Sequence, residues 1–178
     1  MKILFRLLGV TALSTILFAC SSQQLEDYRG TQPALDLKTF FDGELRAYGM
    51  LQNRAGEMTR RFTATIDASW EGDAGILEEE FIFDDGEIEY RTWHLTDHGN
   101  GRYTGTAGDV IGEAGGSIVG SVFQWQYQLE VPYGDGTISV ALDDWLYLID
   151  ENHLINKTRL SKFGFRVGEL TLLIEKIN

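Results

Sequence analysis

The chain has 178 residues, with 15 Lys and Arg against 27 Asp and Glu, and a single cysteine. A formal net charge of −12 repels phosphate backbones, and no basic stretch interleaved with aromatics offsets it, which excludes nucleic acid as a partner. One cysteine excludes an internal disulfide, so the fold must stand on packing, for which a chain of this length suffices as one domain.

The N-terminus carries Lys2 and Arg6 and then an apolar run that ends in Leu17-Phe18-Ala19-Cys20. A charged start, an apolar run of about 7 to 15 residues and a small residue at the cut mark a secretory signal. A cysteine directly behind the cut marks the lipoprotein form, in which the Cys20 sulfur takes the lipid. The alternative is a transmembrane anchor in which Cys20 is only another apolar residue. The run from Ile3 to Ala19 opposes it, being interrupted by Arg6 and shorter than the roughly 20 residues a spanning helix needs. The expected division is a signal peptide over 1–19, a tether over 20–34 and one β-barrel domain over 35–178. Loss of Lys2 and Arg6 takes the charge from −12 to −14, which leaves the N-terminal acyl chains as the attachment to a membrane. By the sorting rule of enterobacterial lipoproteins, Ser21 rather than Asp behind the cysteine directs the protein to the outer membrane, facing the periplasm.

Ser21 to Pro33 is polar and without periodicity, as a tether is. Leu35, Leu37, Phe40 and Phe41 then predict a helical turn that plugs or enters the domain. From about Glu44 the residues alternate, with turn signals at short intervals: 53–56, 71–73, 85–86, 98–101, 114–116, 134–136, 150–152 and 164–168. Eight turns predict about nine strands. Arg60 to Trp70 sets Phe62, Ala64, Ile66, Ala68 and Trp70 against Arg61, Thr63, Thr65, Asp67 and Ser69. Ser117 to Val131 reads as one long strand with Val119, Phe123, Trp125, Tyr127, Leu129 and Val131 on its apolar face. Thr137 to Leu148 and the stretch with Leu170, Leu172 and Ile174 repeat the pattern. Short links force sequential antiparallel neighbours, and closure removes exposed edges. An all-β, up-and-down antiparallel β-barrel of about eight to nine strands is therefore expected, with a two-sheet sandwich as the other arrangement. An acyl anchor and short loops speak against a transmembrane barrel.

Polar residues within this pattern are the candidates for chemistry. Taking Asp85-Gly86 as a two-residue turn places Phe81 opposite Tyr90 and Leu77 opposite His94 on the inner face. It also places Glu80 opposite Arg91 on the outer face as an exposed ion pair. A three-residue turn would shift the register by one and bring a charged pair into the lumen, where it would orient a ligand head group. His94, His98 and His153 lack metal-ligand spacing, and His94 is expected as a hydrogen-bonded interior residue. No nucleophile elbow, phosphate loop or dinucleotide fingerprint is present, so no catalytic residue, metal or cofactor is assigned. Alternation from Ile138 delivers Asp144 to the inner face with Leu146, and Asn156 on the following strand is its expected partner. A bulge at Asp143-Asp144 that turns both carboxylates outward is the other possibility.

Phe40-Phe41-Asp42-Gly43, Glu80-Phe81, Asp85-Gly86, Arg91-Thr92-Trp93, Gly108 to Gly112, Asp143-Asp144-Trp145 and the segment from Asn156 to Gly164 together resemble the domain-of-unknown-function family 3833, lipoproteins of Gram-negative bacteria. The resemblance runs from about Ala34 to Ile177 and implies a lipocalin-like barrel in the cell envelope. Its candidate lumen is lined by Phe62, Trp70, Phe81, Tyr90, His94, Phe123, Trp125, Tyr127, Asp144, Leu146 and Asn156. The leading expectation is binding or transfer of a lipid or other apolar small molecule. An assembly lipoprotein acting on an unspecified protein partner is the alternative, and a lipid-modifying enzyme working through Asp144, Glu80 or His94 is the third reading. All of these side chains are also able to fill a small barrel completely.

Overall fold

Alternation becomes strand almost throughout the computed structural model, which describes residues 23–177. Cys20 and the apolar run before it lie outside the described residues. Ten strands follow one another: β1 (Gly43–Asn53), β2 (Met58–Glu71), β3 (Ala74–Phe83), β4 (Ile88–Asp97), β5 (Arg102–Thr106), β6 (Ala114–Val119), β7 (Val122–Tyr133), β8 (Gly136–Leu148), β9 (His153–Lys162) and β10 (Phe165–Lys176). Each pairs antiparallel with the next, and β10 pairs with β1, so the sheet closes into a barrel and not a sandwich. The strand count exceeds the expected nine because 117–131 is not one strand. Gly120, at φ +58, turns the chain there between β6 and β7, and a side chain at that position would meet the Tyr28 carbonyl at 2.1 Å. The expected turn at 114–116 is strand instead, and its connecting loop lies earlier, before Ala114.

One end of the barrel is plugged. The short helix α1 (Leu37–Phe40) is capped by Asp36, whose side chain accepts from the Thr39 amide at 2.9 Å. Leu35, Leu37, Phe40 and Phe41 are all buried, as their spacing predicts. Each such side chain contributes about 1.5–3 kcal/mol by leaving water. Trp70 Nε1 donates to the Phe41 carbonyl at 2.8 Å and fixes the plug to the wall. Lys38 reaches Asp73 at 3.0 Å and Asp97 at 2.8 Å across two neighbouring turns. Ahead of the plug, the segment read as a tether lies on the barrel from Gln23 onward. Leu25–Tyr28 forms a 3₁₀ turn, and the Tyr28 ring meets Trp145 and Tyr147 edge-on or tilted on the outer wall. The Leu35 amide donates to the Gly120 carbonyl at 2.9 Å.

The interior packs large residues against absent ones. A Cβ on Gly49 would lie 2.4 Å from the Phe62 ring, one on Gly75 would lie 2.7 Å from Trp70, and one on Gly116 would lie 2.9 Å from Phe123 and Trp125. The rings of Phe62, Trp70, Phe123 and Trp125 thus occupy space over the wall that these glycines leave free. At the opposite, unplugged end the hairpins are bare, and Phe163 stands 88% exposed at the β9–β10 turn with φ 51.

Closure is uneven. Only His94 to Asp97 of β4 pair with β5, so Ile88 to Trp93 have no strand beside them on that side. Across the gap, the lower half of β7 meets only the loop before β6. That loop makes one bridge, Val110 with Leu129, and two hydrogen bonds, Ile111 N–H to Gln128 O and Glu130 N–H to Asp109 O. A seam between β4 and β7 results.

Candidate functional site

The β3–β4 hairpin decides what the lumen contains. The Phe83 amide donates to the Glu87 carbonyl at 2.9 Å, which leaves Asp84, Asp85 and Gly86 as a three-residue loop with Gly86 at φ +88. This is the pattern of a turn closed by a left-handed glycine. The register is one residue off the two-residue expectation, with Glu79 opposite Arg91, Glu80 opposite Tyr90, Leu77 opposite Trp93 and Ile76 opposite His94. A slip of one reverses every side chain. Two expected interior positions are therefore corrected: Tyr90 is 74% exposed and His94 is exposed, while Glu80 stays on the outer face where it was expected, now opposite Tyr90. The expected Glu80 and Arg91 pair does not form, and its place is taken inside the barrel by Glu79, Arg91 and buried Trp93.

Arg91 grips Asp109, with Nε at 3.1 and 3.0 Å from the two carboxylate oxygens and Nη2 at 2.6 Å from Oδ2. This fork spans the seam. On its inner side Arg91 Nη1 stands 3.9 Å from Glu79 Oε2, near enough for attraction and too far for a hydrogen bond. Burial pushes Glu79 up to about 7, with Asp109 and Asp144 adding to the rise and Arg91 opposing it. Burial works against the Arg91 charge, but the bonds to Asp109 and the field of Glu79 outweigh it and hold the guanidinium firmly protonated.

The second polar group comes from β7, β8 and β9. The register across β8 is unbroken, so Asp144 stays on the inner face with Trp125 and Thr158 beside it, and the bulge is not formed. Asp144 and Asn156 are buried as expected, and so is Thr158. Asp143 faces outward, accepting from Gln124 at 2.7 Å and from Trp145 Nε1 at 3.1 Å. Burial raises Asp144 to about 6, while Thr158, Tyr127 and Asn156 on its carboxyl and the charge of Arg91 hold it from rising further. Burial likewise raises the Tyr127 hydroxyl well above its ordinary value, with Asp144 contributing. Among the described residues, Glu79 Oε2, Asp144 Oδ1 and Asn156 Oδ1 are buried without a hydrogen-bond partner in the protein.

Both polar groups line one cavity of about 130 Å³, with Trp93, Phe123, Trp125 and Leu146 among its walls and Leu37 and Phe41 of the plug at its floor. A cavity near this size admits a small aromatic ring. A second, larger space of about 1210 Å³ opens at the unplugged end and along the seam, walled by Phe62, Phe83, Leu129 and Leu160. The two adjoin, with Phe81, Arg91, Tyr127 and Leu170 as walls common to both. Of the expected lining, Phe62 and Phe81 lie toward the mouth, and Phe123, Trp125, Tyr127, Asp144, Leu146 and Asn156 lie around the inner cavity. Trp70 lines neither and braces the plug. Glu79, Trp93 and Asp109 are the functional positions sequence reasoning missed. The run Glu78-Glu79-Glu80 always puts at least one carboxylate inward, and that was the available signal. Among the described residues no cluster of three or more His, Cys, Asp or Glu side chains forms a metal site.

A closed antiparallel barrel, plugged at one end and with an internal polar belt below its open mouth, is a lipocalin-like fold. An S-type phycobiliprotein lyase, CPES from Guillardia theta, has a similar fold, with a TM-score of 0.58 at 10% sequence identity over 81% of this chain and 94% of that chain. No curated protein matches the sequence. The family described as "Protein of unknown function (DUF3833)" matches residues 14–176, and the chain belongs to it.

Proposed function

We propose that this protein is a lipid-anchored envelope protein that holds an apolar small molecule or lipid in its barrel. The observation that carries the reading is the pair of adjoining cavities, apolar over most of their walls, one at the open end of the barrel and the other above the buried plug. Such a concave apolar space with a few convergent polar groups is the usual form of a small-molecule site. The fold shared with an S-type phycobiliprotein lyase is compatible with it. Leu17-Phe18-Ala19-Cys20 supports the anchor, and Ser21 supports the outer membrane with the barrel in the periplasm. The reading as a lipid-modifying enzyme needed two of Asp144, Glu80 and His94 to converge, and they diverge, Asp144 inward and the other two outward.

Organic extraction of natively purified protein followed by mass spectrometry tests the cargo. A stoichiometric apolar compound is expected; its absence from repeated preparations, together with a reproducible protein partner in cellular crosslinking, would overturn the reading in favour of an assembly role. Labelling with radioactive palmitate tests the anchor, and incorporation is expected to vanish in Cys20→Ser.

A further inference from the structure

We infer that the lumen is selective for an amphiphile whose polar end is a cationic hydrogen-bond donor, an alkyl ammonium, held by Glu79, Asp144 and Asn156 with its chain running toward the mouth. The inference rests on the lumen being an apolar-ligand site, and adds the chemistry of the head group.

Hydrogen bonding in the inner cavity is short of donors on one side. Three buried oxygens, Glu79 Oε2, Asp144 Oδ1 and Asn156 Oδ1, face the inner cavity and accept nothing from the protein. Buried acceptors left alone are costly, more so for carboxylates, and are ordinarily satisfied. The donors nearby do not reach these atoms: Arg91 gives Nε and Nη2 to Asp109 while its Nη1 stands 3.9 Å from Glu79 Oε2, Asn156 Nδ2 points to Thr158 Oγ1 at 3.3 Å, and the hydroxyls of Tyr127 and Thr158 act on the Asp144 carboxyl without satisfying Oδ1. What the cavity lacks is therefore a donor, and a group with several N–H bonds meets three acceptors at once.

Charge gives the same sign. Glu79, Asp109 and Asp144 surround one guanidinium, so the belt is short of positive charge. An anionic head, such as a fatty acid carboxylate, would find the only cation already clasped and two buried carboxyls beside it. An ammonium would instead lower the proton affinity of both carboxyls and be held by them. The rings of Trp93, Trp125 and Phe81 in the same wall favour a cation over their faces. Depth fits as well: Glu79 and Asp144 stand at mid-height, with Phe81, Leu142 and Leu170 between them and the mouth, so an alkyl chain continues into apolar surroundings.

Displacement of the neutral fluorescent probe N-phenyl-1-naphthylamine from the full chain carrying Cys20→Ser tests this, with dodecylamine, dodecanol and dodecanoate as competitors below their micelle concentrations at pH 7.5. Dodecylamine is expected to displace the probe at a concentration at least 10-fold lower than dodecanoate, with dodecanol between them. In Glu79→Gln/Asp144→Asn the advantage of the amine over dodecanol should fall to within about 3-fold, with direct titration of the probe reporting whether the lumen is still formed. Equal or tighter binding of dodecanoate, or an amine preference that survives the double substitution, would overturn the head-group inference and leave the apolar site standing. Failure of the probe and of all three competitors to bind would overturn both.

Discussion

Lowering the pH from 8 toward 5 is expected to stabilise the fold, and Glu79 is the main source of the effect. Its carboxyl is pushed from 4.5 to about 7 by burial, and Asp144 from 3.8 to about 6. Each folded-state value lies above the unfolded one, so between them the folded chain holds a proton that the unfolded chain has released. Stability from such a group is fully present below the unfolded value and is lost as pH rises through the folded value, at about 1.4 kcal/mol per pH unit for each proton held. Over the interval for Glu79 the loss is roughly 3 kcal/mol; because Asp144 is coupled to it, the two together lose less than twice that. Asp85, Asp97 and Asp150 have lowered values, and what they contribute disappears only as pH falls below the ordinary carboxylate range, outside this window. Urea unfolding at pH 5, 6, 7 and 8 reads the slope, and Glu79→Gln separates it from general repulsion among the acidic surface groups. The variant should lose about one proton's worth of slope between pH 5 and 7. A wild-type stability that is flat or rising over that interval, or an unchanged slope in Glu79→Gln, would refute the reasoning.

Arg91→Ala strands Glu79 beside Asp144 and should cost about 3–5 kcal/mol in urea unfolding at pH 8, whereas Asp109→Ala, whose carboxylate is 36% exposed, should cost about 1 kcal/mol. Gly75→Ala drives a methyl to 2.7 Å from the Trp70 ring and should lower stability by about 1–3 kcal/mol in thermal melts, while Gly115→Ala, with open space around it, should stay within about 0.5 kcal/mol of wild type. Phe163→Asn relieves a bulky residue from a left-handed turn position, and a stabilisation of about 0.5–1 kcal/mol is expected; a lower melting temperature would contradict that account of the turn.

The parts of the fold that could be read from the chain are those where one face repeats without interruption. Phe62 to Trp70 alternates over its whole length, and Ile138 to Leu148 does so through Asp144, which is why a buried carboxylate could be placed from spacing alone. Leu35, Leu37, Phe40 and Phe41 were legible as a plug because four apolar residues in seven positions before a β domain have little else to cover. The hairpin at Asp85-Gly86 was not legible, because the same dipeptide serves a two-residue and a three-residue loop, and that single residue exchanged Tyr90 and His94 for Arg91 and Trp93 on the inner face and set Arg91 opposite Glu79 instead of Glu80. The turn at Gly120-Ser121 stayed hidden because Ile118-Val119 before it and Val122-Phe123 after it are equally apolar, Val122 being buried. Asp109 depends on a loop folding back along β7, and no local pattern announces where such a loop will lie.

The seam gives the barrel a wall of uneven stiffness. Elsewhere neighbouring strands are joined rung by rung, so separation costs energy at every residue; between β4 and β7 the outer half is held by a guanidinium clasped on a carboxylate, by Trp93 packed on Trp125 and Tyr127, and by a loop bonded to one side only. Deformation of the cross-section is therefore directed: the tube yields first along one axis, where side chains and not a ladder resist, and salt in the medium weakens the charged part of that hold without touching the ladder. Amide exchange along Ile88 to Trp93 should then quicken with ionic strength while the amides of β2 do not respond.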